Sequence, residues 1–173
     1  MQGCWSPLGT TLAEVAWTDP LAGSTATEAC MLARVDYLES GRRHFDDGLR
    51  LAAACRLPNA GQLFGLSAEC GVKGLLVALG HQTESDGGLG KGPLRKHVNQ
   101  LHAASADLSV FLTGRNAGRY WAMLPSLANF VDWSVDQRYY GTAGIPQSHA
   151  NWQAAAREVQ EMLQQAQLDG VVA

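Results

Sequence analysis

The stretch from Ala60 to Leu79 is apolar nearly all the way round a helix, and it is studded with glycine. At about 100° per residue, Gly61, Gly65, Ala68 and Val72 fall within roughly 60° of one another and make a small-residue stripe. Leu63, Leu66, Cys70, Leu75 and Leu76 fill most of the remaining circumference. A helix apolar on nearly every side belongs at the centre of a bundle. Glycine costs up to about 1 kcal/mol against alanine inside a helix, so several in one helix mean that another backbone packs close. One polar strip, Gln62, Glu69 and Lys73, interrupts the apolar surface. Glu69 and Lys73 stand four apart in the favourable order, either as a structural ion pair or as part of a polar pocket.

The rest of the chain reads as further helices around this rod. Residues 1–36 form an arm in which Thr25-Ala-Thr-Glu28 has capping-box spacing and can start a short helix toward Leu38, with Ser40-Gly41 punctuating it. From about Arg42, Phe45, Leu49, Ala52 and Cys55 recur at helical spacing until Leu57-Pro58-Asn59 ends the pattern. His81 to Pro93 is a Gly-rich polar loop of 13 residues, at the edge of what a compact domain leaves without structure. Leu94 to about Leu112 predicts a third main helix, with Leu94, Val98, Leu101, Leu108 and Leu112 on one face. A fourth, Arg119 to Val135, is interrupted by Pro125, and Ser148 can cap a last one striped by Trp152, Ala156, Val159, Leu163 and Ala166. With no alternating β-runs, repeats or heptads, the expectation is an all-α, antiparallel bundle of four to five main helices over residues 37–173.

At 173 residues the chain fits one domain with an appended arm. A net charge of -3 excludes a globally basic nucleic-acid binder but leaves room for a local patch. No basic-then-apolar leader opens the chain. No apolar run approaches the roughly 20 residues that span a bilayer, so a soluble, cytoplasmic protein without a membrane role is expected. The four cysteines, Cys4, Cys30, Cys55 and Cys70, show no metal-ligand spacing with the histidines and read as reduced core residues.

The local patch lies between Gly87 and Ala106, a stretch without an acidic residue that carries Lys91, Arg95, Lys96, His97 and His102. On a continuous helix Arg95 and His102 project within about 20° of each other, with Asn99 near the same line. An arginine that holds a phosphate and a histidine that moves a proton can cleave RNA through its 2′-hydroxyl without a metal or other cofactor. Lys91, Lys96 and Asn99 would then bind the nucleic acid. The other reading is a solvated basic face flanking the core. His97 points toward the apolar stripe and reads as a buried, hydrogen-bonded core histidine or as a catalyst; His44 reads as a helix-start residue. Gly88-Leu-Gly-Lys-Gly92 lacks the spacing of a P-loop.

Arg43-His-Phe-Asp-Asp47 and the run Asn59 to Leu76, with Ala-Glu-Cys-x-x-Lys at Ala68 to Lys73, resemble the first two long helices of HEPN-domain proteins. Lys96-His-Val-Asn-Gln-Leu101 and Trp133-Ser-Val-Asp-Gln-Arg-Tyr-Tyr140 resemble later segments of bacterial members, so the likeness covers roughly residues 37–168. The resemblance implies a HEPN-like bundle, a homodimer, and a place in an RNA-targeting toxin, phage-defence or RNA-processing system. It also implies a protein partner, an antitoxin or a small nucleotidyltransferase. Catalytic members carry an arginine, four to six intervening residues and then a histidine near the end of the fold. Arg95-x6-His102 fits that pattern but comes early, and Arg115-Asn116 has no histidine behind it. Two functions follow: a metal-independent endoribonuclease using Arg95 and His102, or a non-catalytic dimerising or nucleotide-binding module that acts through its partner.

Overall fold

The computed structural model describes residues 34–92, 94–103 and 115–172, with residues 102, 103 and 115–117 as backbone only. The fold is helical. Helix α1 spans Tyr37–Ala53, α2 Leu57–Ala78, α3 Val98–Ala103, α4 Arg115–Trp121 and α5 His149–Leu168. Three 3-10 segments, Pro125–Asp132, Val135–Tyr139 and Thr142–Gly144, connect α4 to α5. Among the described residues the one extended pairing is an isolated antiparallel bridge between Thr83 and Leu89.

Helix α1 begins where Asp36 Oδ1 accepts the Glu39 N–H at 2.9 Å, a side-chain cap that satisfies one orphan donor. It runs without a break through Ser40 and Gly41, which the sequence reading took as punctuation. Gly41 is buried instead, and a Cβ there would stand 3.2 Å from the Gly71 backbone nitrogen of α2. The glycine sits mid-helix because two backbones cross at that point. The turn expected at Leu57-Pro58 is likewise displaced: α1 has already ended, and Pro58 occupies the first turn of α2, where its missing N–H has no helical partner to lose. The arm's Thr25 to Glu28, with Cys4 and Cys30, lies outside the described residues.

Helix α2 is the interior rod its composition demands, with Ala60, Phe64, Ala68, Val72 and Leu76 at or below 1 % exposure. Its glycines are sockets for side chains from both neighbours. Gly74 receives Leu38 of α1, Gly61 receives the Trp152 ring of α5, and Gly71 lies under Val159 and Leu163 of α5. These pairings fix direction. Contacts between α1 and α2 run in opposite order along the chain, so that pair is antiparallel. Contacts between α2 and α5 run in the same order, so those two are parallel, and the expectation of an antiparallel bundle throughout is corrected. Ser67, fully buried, ties all three together: its hydroxyl donates to Gly41 O at 2.8 Å and accepts from Gln160 Nε2 at 3.1 Å.

Where periodicity predicted a third long helix from Leu94, residues 94–97 are turn and bend and α3 starts only at Val98. Leu108, Leu112 and Gly114, which were to complete it, lie outside the described residues. The fourth predicted helix, with its Pro125, is a short α4 followed by 3-10 turns. Segment Pro125–Asp132 is fastened to α5 by polar contacts. Ser126 donates its N–H and hydroxyl to Glu158 at 2.9 and 2.6 Å. Trp152 Nε1 donates to Asp132 Oδ1 at 2.9 Å. Ser148 precedes α5 but its hydroxyl bonds to Asp132 rather than capping the helix.

Three helix ends share one device. The N–H groups of Arg56, His81 and Val171 each reach back to the carbonyl five residues earlier, Leu51, Leu76 and Ala166. Such a closure needs a left-handed residue just before the donor. Gly80 and Gly170 supply it at φ of 93° and 72°, whereas α1 uses Cys55 at 57°. Cys55 is exposed, so its expected place in the core is corrected; Cys70 is half-buried.

Asp169, at the end of α5, accepts from Tyr120 Oη at 2.6 Å and from Gln165 Nε2 at 3.0 Å and pairs with Arg119 Nη1 at 3.1 Å. The Tyr120 hydroxyl bond, with lesser help from Gln165 and Arg119, holds the Asp169 carboxyl below its usual value. A carboxylate with a lower folded than unfolded pKa stabilises the protein above about pH 4 and ceases to do so as pH falls through the folded value. Asp169→Asn keeps an acceptor for Tyr120 and removes the titration. Denaturation curves at pH 5.5 and pH 3 are therefore expected to lie closer together for the variant than for the wild type. No helix among the described residues is long and apolar enough to cross a membrane.

Candidate functional site

The polar strip of α2 forms a buried charged cluster. Lys73 Nζ lies 2.7 Å from Glu69 Oε1, with side-chain exposures of 8 % and 11 %. They are four apart on α2, so the helix itself brings them into register. The second carboxylate oxygen of Glu69 meets His97 Nδ1 at 3.0 Å. His97 comes from the bend just before α3, and its ring packs edge-on against Trp133 with centroids 6.3 Å apart. It is half-exposed. The core-histidine reading therefore holds for its hydrogen bond and fails for its burial.

On the other side of the ion pair, the Lys73 ammonium sits 6.0 Å from the centre of the Tyr37 ring, the outer limit of a cation–π contact. The Tyr37 hydroxyl accepts the Leu89 N–H at 3.1 Å. One chain of contacts thus runs Leu89, Tyr37, Lys73, Glu69, His97, Trp133. It pins the loop at both ends, at Leu89 through Tyr37 and at His97 through Glu69. Between these anchors the described residues form an exposed arch, apart from Gly90 and the half-buried Leu94, which packs against the core. Arg95 N donates to Gly92 O at 3.1 Å within it, and Lys91, Arg95 and Lys96 are all exposed.

Arg95 lies ahead of α3, so helical register does not relate it to His102; the two-turn alignment predicted from a continuous helix is absent. The backbone of His102 belongs to α3 and its side chain is outside the described residues. Asn99, expected to face nucleic acid, turns its Oδ1 inward, where it is buried and has no hydrogen-bond partner among the described residues. Glu69 and Lys73 make a closed cluster rather than an open pocket. Gln62, the third member of the polar strip, goes elsewhere: its Nε2 donates to Ser134 O at 3.0 Å and Gln137 Oε1 at 3.3 Å.

Electrostatics around the cluster favour inert rather than nucleophilic groups. Burial, reinforced by the Glu69 carboxylate, pushes the Cys70 thiol up to about 11 against the pull of Lys73 and Arg43. It is a neutral thiol at physiological pH. Burial and the neighbouring Arg43 guanidinium hold the His44 imidazole below its ordinary value, opposed by Asp47. His44 sits in the interior of α1, not at its start.

Sequence reasoning missed Tyr37 and Trp133 as parts of this region. Tyr37 and Trp133 carry no local signal, because their roles arise from contacts across the fold. The neighbourhood draws on four separate stretches of sequence: Glu69 and Lys73 from α2, His97 from the bend before α3, Trp133 from just after the 3-10 segment Pro125–Asp132, and Arg43 of α1 near Cys70. No family model, curated protein or solved structure matches this chain.

Proposed function

We propose that the chain is a HEPN-like helical module that engages the phosphate backbone of RNA through the arch between Leu89 and His97. The observation that carries this reading is the arch itself: three exposed cations, Lys91, Arg95 and Lys96, on an acid-free segment held at Leu89 by the Tyr37 hydroxyl and at His97 by the Glu69 carboxylate. Cations held on a short tether lose less freedom on binding than cations on a slack loop. In a chain of net charge -3, such a patch is the local footprint that phosphate recognition needs. The resemblance adds a homodimer and an RNA-targeting toxin or defence setting with a protein partner.

The test is the salt dependence of binding to a fluorescent single-stranded RNA. Each phosphate contact on a single strand contributes about 0.7 to the slope of log affinity against log salt. Arg95→Ala/Lys96→Ala is expected to lower the slope by about 1.4 and to weaken binding by about tenfold or more at low salt. An unchanged slope would sink the reading. The same RNA, analysed for fragments with wild type and His102→Ala, separates the two functions: cleavage lost in the variant makes His102 catalytic, and binding without cleavage in either makes the module a non-catalytic one.

A further inference from the structure

The contact between Glu69 and His97 joins a buried group to a half-exposed one. Glu69 stands on the interior rod with its Oε1 held by Lys73 Nζ at 2.7 Å. Its Oε2 meets, at 3.0 Å, the Nδ1 of a ring that is 50 % exposed. Histidine is the side chain whose ordinary charge change falls between pH 5 and 8. We propose that this contact is a proton-operated clasp: protonating His97 draws the arch onto α2, and removing that proton slackens it at its His97 end. The clasp stands on its own geometry. It rests on the RNA-binding reading only for what it regulates, the grip of Arg95 and Lys96 on phosphate.

Proton count decides how well the contact holds. A neutral imidazole carries one N–H, at Nδ1 or at Nε2. In the first tautomer Nδ1 donates to Glu69; in the second it turns a lone pair toward the carboxylate oxygen, and the contact repels. A protonated ring has an N–H at Nδ1 in every case, and a bond between ions is about twice as strong as a neutral one. The other groups around the ring do not reverse this. From α2 it faces Glu69, with Lys73 beyond the same carboxylate, and from the chain after Pro125–Asp132 it meets uncharged Trp133. Helix α1 brings Arg43 to the neighbouring Cys70 and Tyr37 to Lys73. Its own stretch adds Arg95 and Lys96, both exposed and screened by solvent. These cations oppose the extra charge from a distance, while the carboxylate attracts it in contact.

Only one end of the arch is operated in this way. At the other, the Leu89 N–H donates to the Tyr37 hydroxyl at 3.1 Å, a bond without an imidazole. Inside the arch Leu94 packs against the core, and α3 beyond it opens with the fully buried Val98. Between Leu94 and Val98, His97 is the one side chain that holds the stretch to the bundle among the described residues, since Arg95 and Lys96 are exposed. Slackening is thus confined to the residues that carry two of the three cations. Ordering them before RNA arrives removes a cost otherwise met at the binding step.

Backbone order parameters from nuclear magnetic resonance, measured on the full chain at pH 5.5 and pH 7.5, test the clasp without RNA. Those of Arg95 and Lys96 are expected near about 0.85 at the lower pH and to fall toward about 0.6 at the higher, while Lys91 changes little. His97→Gln keeps a neutral N–H donor but cannot take up a proton, and is expected to hold one value at both. Glu69→Leu/Lys73→Met keeps the titrating ring and removes the carboxylate; its Arg95 and Lys96 are expected to stay loose throughout. Single-stranded RNA, titrated into the same proteins, is expected to bind the wild type about fivefold or more tightly at pH 5.5 than at pH 7.5. In His97→Gln that gain is expected to shrink to about twofold or less. Order that ignores pH in the wild type overturns the clasp. So does RNA affinity that follows pH equally in Glu69→Leu/Lys73→Met, since His97 would then act as one more cation; either result leaves the arch as a binding surface. Order that responds to pH in a protein that binds no RNA keeps the clasp and overturns the RNA reading.

Discussion

Gly65→Ala is expected to destabilise the protein by about 2–4 kcal/mol, although alanine is the better helix former by about 1 kcal/mol. A Cβ on Gly65 would fall inside the indole of Trp133, against its Cε2 and Nε1. The ring cannot slide away cheaply. It is 1 % exposed, its Nε1 donates to Gly61 O at 3.2 Å, and the His97 imidazole leans on it. Admitting one methyl group therefore expels much of a buried tryptophan, whose full truncation costs about 3–5 kcal/mol in typical cores. The sign should reverse when the obstacle is removed. In a Trp133→Leu background, itself less stable by about 2–4 kcal/mol, Gly65→Ala is expected to cost nothing or to gain up to about 1 kcal/mol from helix propensity. Urea midpoints for the four proteins, at constant denaturant slope, give the coupling directly. An equal cost in both backgrounds would mean that Gly65 serves something other than the indole.

That pairing illustrates what a sequence of this kind reveals. The small-residue stripe showed that α2 packs close to other backbones, because glycine inside a helix needs such a reason. It did not show that Gly61 holds Trp152 and Gly65 holds Trp133, since their partners stand far along the chain and no local spacing encodes them. Gly41 was misread because Ser-Gly commonly ends a helix, and the crossing with Gly71 that outweighs this preference is a tertiary contact. Leu94 to Leu112 misled in the opposite way: a good apolar period predicted one helix, yet the residues after the Gly-rich loop are spent on a turn that carries Arg95 and Lys96 outward. Within the site, the Glu69–Lys73 pair was legible from a spacing of four. His97, 28 residues from Glu69, could be identified as a histidine near the core face but not as the carboxylate's second partner. The patch of cations was plain in the composition; its tether was not.

The tether makes the second large prediction. Lys73→Met is expected to lower stability by about 3–5 kcal/mol, because it leaves the Glu69 carboxylate buried with its main counter-charge gone. Methionine keeps most of the lysine stem's volume, so packing changes contribute little. The cause can be isolated by removing the charge as well. Glu69→Leu/Lys73→Met replaces the ion pair with apolar side chains and is expected to recover stability to within about 1 kcal/mol of the wild type, since a buried pair rarely stabilises more than well-packed hydrophobic groups. Such a recovered protein would still lack the anchor at His97 3.0 Å away. Its arch would be slack, and RNA binding through Arg95 and Lys96 should weaken even though the fold is intact, because ordering the arch then falls to the binding step. Stability and RNA affinity, measured on the same two variants, therefore separate what the ion pair does for the fold from what it does for the surface. If the double variant is as unstable as Lys73→Met, a lone buried charge is not the cause. If it is stable and binds RNA like the wild type, the link between the buried pair and the arch fails, and the cations act as free surface charges.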